Sequence, residues 1–264
     1  MTTETLVNAQ PTVAPSRAIL PTGFGRLLLV EARKLVNTRA GRWLLVIAVL
    51  ASIGAAALSV AYFPERTVSA VFFFSFLPLG LLVPVVAILT ATAEWSQRTG
   101  LTTFALEPRR GRVVAAKLVV SLLAGVAIML VSGVFTYAAA GIGALAGQSW
   151  DGWALDLGVL AGPALNLMLL MLQASAFGLI LLNTPSAVVL YFVLPQVWTT
   201  VVGFVPWLAS RAAWLDLNAA TEPMFTSLPD MTGQHWLQLA CATALWVLVP
   251  LAAGVWRFLR AEVK

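Results

Sequence analysis

Six blocks of apolar residues, each about 20 residues long or more, divide the chain at 43–62, 71–93, 113–141, 157–182, 186–208 and 236–259. The apolar positions run together rather than alternating. That is the pattern of helices crossing a hydrocarbon layer about 30 Å thick, and not of a membrane β-barrel. It predicts an all-α, polytopic membrane protein whose six transmembrane helices occupy residues 43–260. Pro78 and Pro84 in the second block, Pro195 in the fifth and Pro250 in the sixth predict kinks, which a membrane tolerates where neighbouring helices cover the freed carbonyls. Asn183, Thr184 and Pro185 predict a very tight turn between the fourth and fifth spans. Ahead of the first block, residues 23–42 can wind into one helix. Phe24, Leu27, Leu28, Ala32 and Leu35 then share one side, and Arg26, Arg33 and Asn37 share the other. Such a helix suits the membrane interface, although the same residues also suit a charged lead-in that merely anchors the first span. Residues 1–22, with Pro11, Pro15 and Pro21 among small polar residues, read as a flexible tail.

Composition narrows the function classes. Of the 264 residues 60% are hydrophobic and only 10% charged, too few charges to clothe a water-soluble exterior. The net charge of +5 would suggest a phosphate-bearing partner in a soluble protein. Here the basic residues sit in short segments beside apolar blocks, so they mark the cytoplasmic face and not a nucleic-acid site. With both termini on that face, all 16 basic residues but Arg66 and Arg211 fall on it, which predicts cytoplasmic N- and C-termini and an even number of spans. No signal peptide is apparent, and the first span is expected to stay as a signal-anchor. A lone cysteine, Cys241, and a lone histidine, His235, offer neither a disulfide nor a metal cluster nor a nucleophile–histidine pair, so no catalytic, cofactor-binding or metal residue is expected in the chain.

The candidate chemistry gathers in two loops and a few intramembrane polar residues. Residues 94–112, between the second and third spans, mix a carboxylate, an aromatic and clustered arginines. Glu94 and Arg98 are four apart and can pair on one helical face, Thr102 to Leu106 can form a short helix, and Pro108-Arg109-Arg110-Gly111-Arg112 closes the segment. Such a loop reads either as a surface that meets a protein or phosphate, or as a positively charged anchor with a capped helix. On the other face, residues 209–234 contain Trp214, Asp216, Glu222 and Asp230, and the stretch 209–225 within them can form a short interfacial helix, while the scattered carboxylates give no metal-ligand set. Within the spans Asn166, Gln173 and Gln196 are candidate pore or helix-contact residues, Asn166 and Gln173 being seven apart on one helix. No acid or base stands at the middle of a span, which disfavours proton coupling and suggests a hydrophobic or amphipathic cargo. No GxxxxGK motif occurs, so any ATP hydrolysis falls to another chain.

The segments EARKLVNTRAGRW at 31–43, EWSQRTG and ALEPRR between 94 and 110, and VVAAK ending at Lys117 resemble the membrane permease subunit of ABC-2 type ATP-binding-cassette exporters, in particular actinobacterial-looking members. The six-span layout resembles that family over nearly the whole chain beyond residue 22. The resemblance implies that residues 94–112 form the coupling helix that docks on an ATPase, with Glu94, Arg98, Thr99, Phe104, Glu107, Arg109 and Arg110 contacting it or shaping the loop. Phe24, Leu28, Arg33, Lys34 and Arg39 would then belong to the interfacial connecting helix, and residues 209–234 would resemble the extracellular cap. It further implies a multi-pass protein of the bacterial cytoplasmic (inner) membrane. Its partners would be two ATPase subunits carrying ATP and Mg, a second permease that is identical or related, and membrane lipid. The rival expectation is a non-transporting membrane anchor or assembly protein that recruits a cytoplasmic partner through the same loop.

Overall fold

The computed structural model describes residues 23–63, 66–155, 157–226 and 228–262, and the 1–22 segment expected as a tail lies outside them. The described chain is all-α apart from one isolated bridge between Thr67 and Gly152. A short helix α1 (Phe24–Asn37) precedes the first span, α2 (Arg39–Tyr62). The second span is α3 (Val68–Ser96), followed by a connecting helix α4 (Gly100–Leu106) and the third span α5 (Arg110–Leu145). The fourth and fifth spans are α6 (Leu157–Leu181) and α7 (Thr184–Phe204). Four short helices, α8 (Pro206–Ala209), α9 (Ala212–Leu215), α10 (Leu217–Thr221) and α11 (Pro223–Thr226), lead to the last span. That span comprises α12 (Gly233–Thr243), a π-turn at Ala244–Leu248 and α13 (Val249–Arg260). Six helices are thus long and apolar enough to cross a membrane. The shortest, 21 residues, rises about 32 Å and the longest, 36 residues, about 54 Å, so α5 extends well past the hydrocarbon layer.

Polar residues at the block edges set the helix ends. Thr38, Thr67 and Asn183 each accept a hydrogen bond from a backbone N–H three residues on, capping α2, α3 and α7. Thr38 is extended at φ −77° and ψ 140°, so the helix expected across 23–42 is broken there. Arg39 consequently opens the first span and does not belong to α1. His235 accepts from the Thr232 N–H while its own N–H donates to the Thr232 hydroxyl, a reciprocal cap that gives the lone histidine a structural role. The expected turn at Asn183-Thr184-Pro185 forms with Leu182 in the left-handed region at φ 52°, and Thr184 shares a 2.6 Å hydrogen bond with Thr92 of α3. Instead of one interfacial helix over 209–225, the chain makes short helical turns that fold back onto α12 and bury Leu217, Ala220, Met224 and Met231 against Leu239 and Trp246.

The centre of the bundle is α3, which packs against α2, α5, α6 and α7, while α6 packs in turn against α13. Pro78 and Pro84 lie inside α3 without interrupting it. Phe72, Phe76, Leu79 and Val83 of α3 form the core with Leu167, Met171 and Phe177 of α6. Small residues bring the helices close. A Cβ on Gly254 would lie 2.8 Å from Leu179 Cβ and 2.9 Å from the Ala176 carbonyl oxygen, so α13 reaches α6 because that position has no side chain. Hydroxyls link the first three spans inside the apolar layer: Ser132 pairs with Ser52 at 2.7 Å and Ser75 at 3.2 Å, and Ser75 pairs with Thr136 at 3.0 Å. In the last span Pro250 has no N–H to offer the Trp246 carbonyl, and the helix passes through its π-turn immediately before that proline.

Candidate functional site

Most of the basic residues of the described chain lie at the end of the bundle that carries α1, α4 and the end of α13, called here the basic end. Four charges of alternating sign close a ring inside it. Lys34 Nζ of α1 lies 2.7 Å from Glu31 Oε1 and 3.0 Å from Glu94 Oε1 at the end of α3. Lys117 Nζ, two turns into α5, lies 2.8 Å from both Glu31 Oε2 and Glu94 Oε2, and also donates to the Thr90 carbonyl at 2.9 Å. Each carboxylate oxygen thus meets one ammonium. The Lys117 contact to Glu94 Oε2 lacks hydrogen-bond geometry and is chiefly electrostatic. Glu31, Glu94 and Lys117 are 1%, 2% and 2% exposed while the Lys34 side chain is 27% exposed, so three members are buried and the fourth reaches the surface, and the net charge of the ring is zero. A charge removed from water at a cost of several kcal/mol persists only when so compensated, which makes the ring a registration device for α1, α3 and α5 more than a source of net stability. A cavity of about 250 Å³, walled in part by Thr38, Gln97 and Thr184, opens beside Glu31 and Lys34. Burial alone would lower the Lys34 pKa, but the carboxylates of Glu94 and Glu31 more than reverse that effect and hold it above its ordinary 10.5.

A second fastening joins α4 to the last span. Phe258, fully buried on α13, stands 4.7 Å from the Trp95 ring and 5.7 Å from the Phe104 ring, both edge-on. The Arg110 guanidinium lies 4.6 Å over the Phe104 ring and donates to the carbonyls of Ala261 at 2.7 Å and Leu259 at 3.3 Å. Placing a cation both on an aromatic face and at the carbonyl end of α13 favours it twice. Arg112 pairs with the buried Glu107 at 3.1 Å. The outer side of α4 exposes Leu101 (65%) and Leu106 (74%) together with Thr102 and Ala105, with Arg98 and Arg109 exposed beside it.

The expected site residues therefore separate into different environments. Glu94 does not pair with Arg98, because Glu94 is taken up in the ring and Arg98 turns out at φ 56°, ending the helical register that would bring the two together. Thr99 links the corner, its N–H donating to the Glu94 carbonyl at 3.0 Å and its carbonyl accepting from Thr103. On α1, Leu27, Glu31 and Leu35 form the buried stripe, with Leu28 half-buried and Phe24 exposed. Arg33 faces outward, and Lys34 turns into the ring. Asn166 lines a cavity at the opposite end, Gln173 is buried in α6, and Gln196 stands exposed on α7. Sequence reasoning missed Glu31 and Lys117. The available signal was a single charge within an otherwise apolar stripe or span, which requires a compensating partner.

Comparison with protein-family models finds no match, and comparison with curated proteins finds none either. The fold defines a polytopic all-α membrane protein with six spans, carrying a buried neutral ion ring and a pinned connecting helix at one end.

Proposed function

We propose that the chain is the transmembrane permease subunit of an ATP-driven exporter of ABC-2 type. In this reading it sits in the cytoplasmic membrane with its basic end inward. It pairs with a second permease, identical or related, and two ATPase subunits supply ATP and Mg. The single observation that carries the reading is α4: a helix with exposed Leu101 and Leu106 between exposed arginines, fastened from beneath by Phe104, Phe258 and Arg110. An apolar spot rimmed by charge suits a protein groove, and its fastening gives a docked partner purchase on the bundle. Force applied to α4 passes to the last span through the Phe104–Phe258 contact, and to α3, α5 and α1 through Trp95 and the Glu94 ring. The spans then move as connected bodies between two packings, each favoured by one state of the ATPase. The inward orientation rests on the distribution of lysine and arginine, and a hydrophobic or amphipathic substrate fits spans that carry no charge at their centres.

Co-purification in mild detergent tests the proposal. Wild-type chain is expected to bring an ATP-hydrolysing subunit with it, and the surface variant Leu101→Asp/Leu106→Asp to lose it while keeping its melting temperature. Surface positions are the right ones to change, because Glu94 and Phe104 are built into the ring and the aromatic cluster and their loss would disturb the fold itself. If neither form captures an ATPase, a non-transporting anchor takes the place of the permease.

A further inference from the structure

At the end of the bundle opposite the basic end, α6, α7 and the segment from Ala209 to Phe225 line an open, cleft-like cavity of about 670 Å³, within the volume range of sites for drug-sized ligands. Asp216 forms part of its wall and is only 3% exposed. Its carboxylate accepts from the Thr199 hydroxyl at 2.6 Å and from the Asn218 N–H at 2.9 Å, one donor to each oxygen, and no ion pair to it is found among the described residues. Hydrogen bonds satisfy the oxygens in part and leave the charge unbalanced. The two arginines at this end are held elsewhere. Arg66 donates to Val60 and Gln148, and Arg211 lies 4.7 Å over the Trp207 ring and donates to the Trp207 carbonyl. A second carboxylate, Glu222, stands exposed on the cavity wall, which Phe225 and Asn166 also line. Next to Asp216 the Leu215 carbonyl accepts two indole N–H groups, from Trp198 at 3.0 Å and Trp246 at 2.8 Å, which ties this segment to α7 and to the last span.

We propose that this cavity binds an organic cation, a protonated amine or quaternary onium ion bearing apolar groups. A buried carboxylate without a counter-charge, a second carboxylate, and an aromatic ring that can take a cation on its face line one open cleft, while Val202, Ala209, Ala212 and Ala219 offer contact to the ligand's apolar body. A neutral ligand of the same shape would leave the Asp216 charge unmatched. The inference deepens the transport reading by naming a substrate class, yet it concerns the chain alone.

The test is saturable binding of tritiated tetraphenylphosphonium to the purified chain in nanodiscs, corrected with empty nanodiscs, with neutral triphenylphosphine oxide as competitor. Wild type is expected to bind the cation and to resist the oxide. Asp216→Asn/Glu222→Gln is expected to weaken cation binding about 10- to 100-fold, the range of a charge-assisted contact. Asparagine caps α10 as aspartate does, and the melting midpoint checks that the fold is kept. Glu222→Gln alone changes an exposed residue and is expected to weaken binding about two- to fivefold. Asp230→Asn, an exposed acid of the same segment that does not line the cavity, is expected to change nothing. Absence of saturable cation binding, equal competition by the oxide, or equal loss in Asp230→Asn would overturn the proposal. Cation binding without ATPase capture would leave the site standing and remove the exporter reading, and ATPase capture without cation binding would do the reverse.

Discussion

Replacing Lys117 by methionine removes one ammonium from the ring while nearly preserving side-chain volume. Two buried carboxylates, Glu31 and Glu94, then share the single Lys34 ammonium, and the Thr90 carbonyl loses the side-chain donor that Lys117 supplies. Breaking a buried ionic set by deleting one member costs about 3–5 kcal/mol, because the surviving charges remain desolvated and unmatched. At about 2–4 °C per kcal/mol for a chain near this size, the melting midpoint should fall by about 6–20 °C. The informative comparison is Glu31→Gln/Lys34→Met/Glu94→Gln/Lys117→Met, in which no charge is left to strand. Complete replacement of a buried ionic set is often neutral or better, so this variant should recover most of the loss despite carrying four changes. Both can be followed by circular dichroism during thermal unfolding in one detergent at pH 7. A Lys117→Met midpoint within about 2 °C of wild type would refute the buried ring, since that shift is under 1 kcal/mol. A fourfold variant less stable than Lys117→Met would refute the reasoning that stranded charge is what destabilises.

Two further outcomes follow from the basic end. Because the folded-state pKa of Lys34 is raised above its ordinary 10.5, its contribution is fully present below about that pH and is lost as pH climbs through the higher folded value. The stability difference between wild type and Lys34→Met should therefore stay constant from pH 7 to 9 and shrink in the alkaline limb above pH 10.5, and a difference that instead grows there would contradict the sign. Phe258→Ala should cost about 3–5 kcal/mol, as loss of a fully buried ring does. It should also raise amide hydrogen exchange in residues 100–106 while leaving residues 217–221 protected, and uniform deprotection of both segments would count against a specific hold on α4.

How far the chain could be read from its residues alone depended on the range of the interaction. The spans were legible because an apolar block of membrane length has few other solutions, and the observed bounds of the six spans lie close to those blocks. The α1 break at Thr38 was not legible, although a threonine before a run of helix formers is a capping signal, because the polar run Asn37-Thr38-Arg39 fits the charged end of a single helix over 23–42 equally well. The far-end segment was too short-stepped for periodicity: four- and five-residue helices carry no amphipathic repeat. Glu94 was legible as unusual, but its nearest charge along the helix, Arg98, was a false partner. The true partners lie 60 residues before it in Lys34 and across the bundle in Lys117, and spacing along a helix says nothing about which charge packing brings from another element.

The central claim is that α4 is the face offered to an ATPase inside the cell. The most direct measurement places a photo-crosslinking amino acid at Leu106, on the exposed side of α4, and in a second strain at Ser210, exposed at the opposite end, and identifies by mass spectrometry what each captures in living cells. The account expects an ATP-binding subunit crosslinked from position 106 and not from 210. Capture of such a subunit from 210 alone, or from neither position in cells where both crosslink to other proteins, would contradict it.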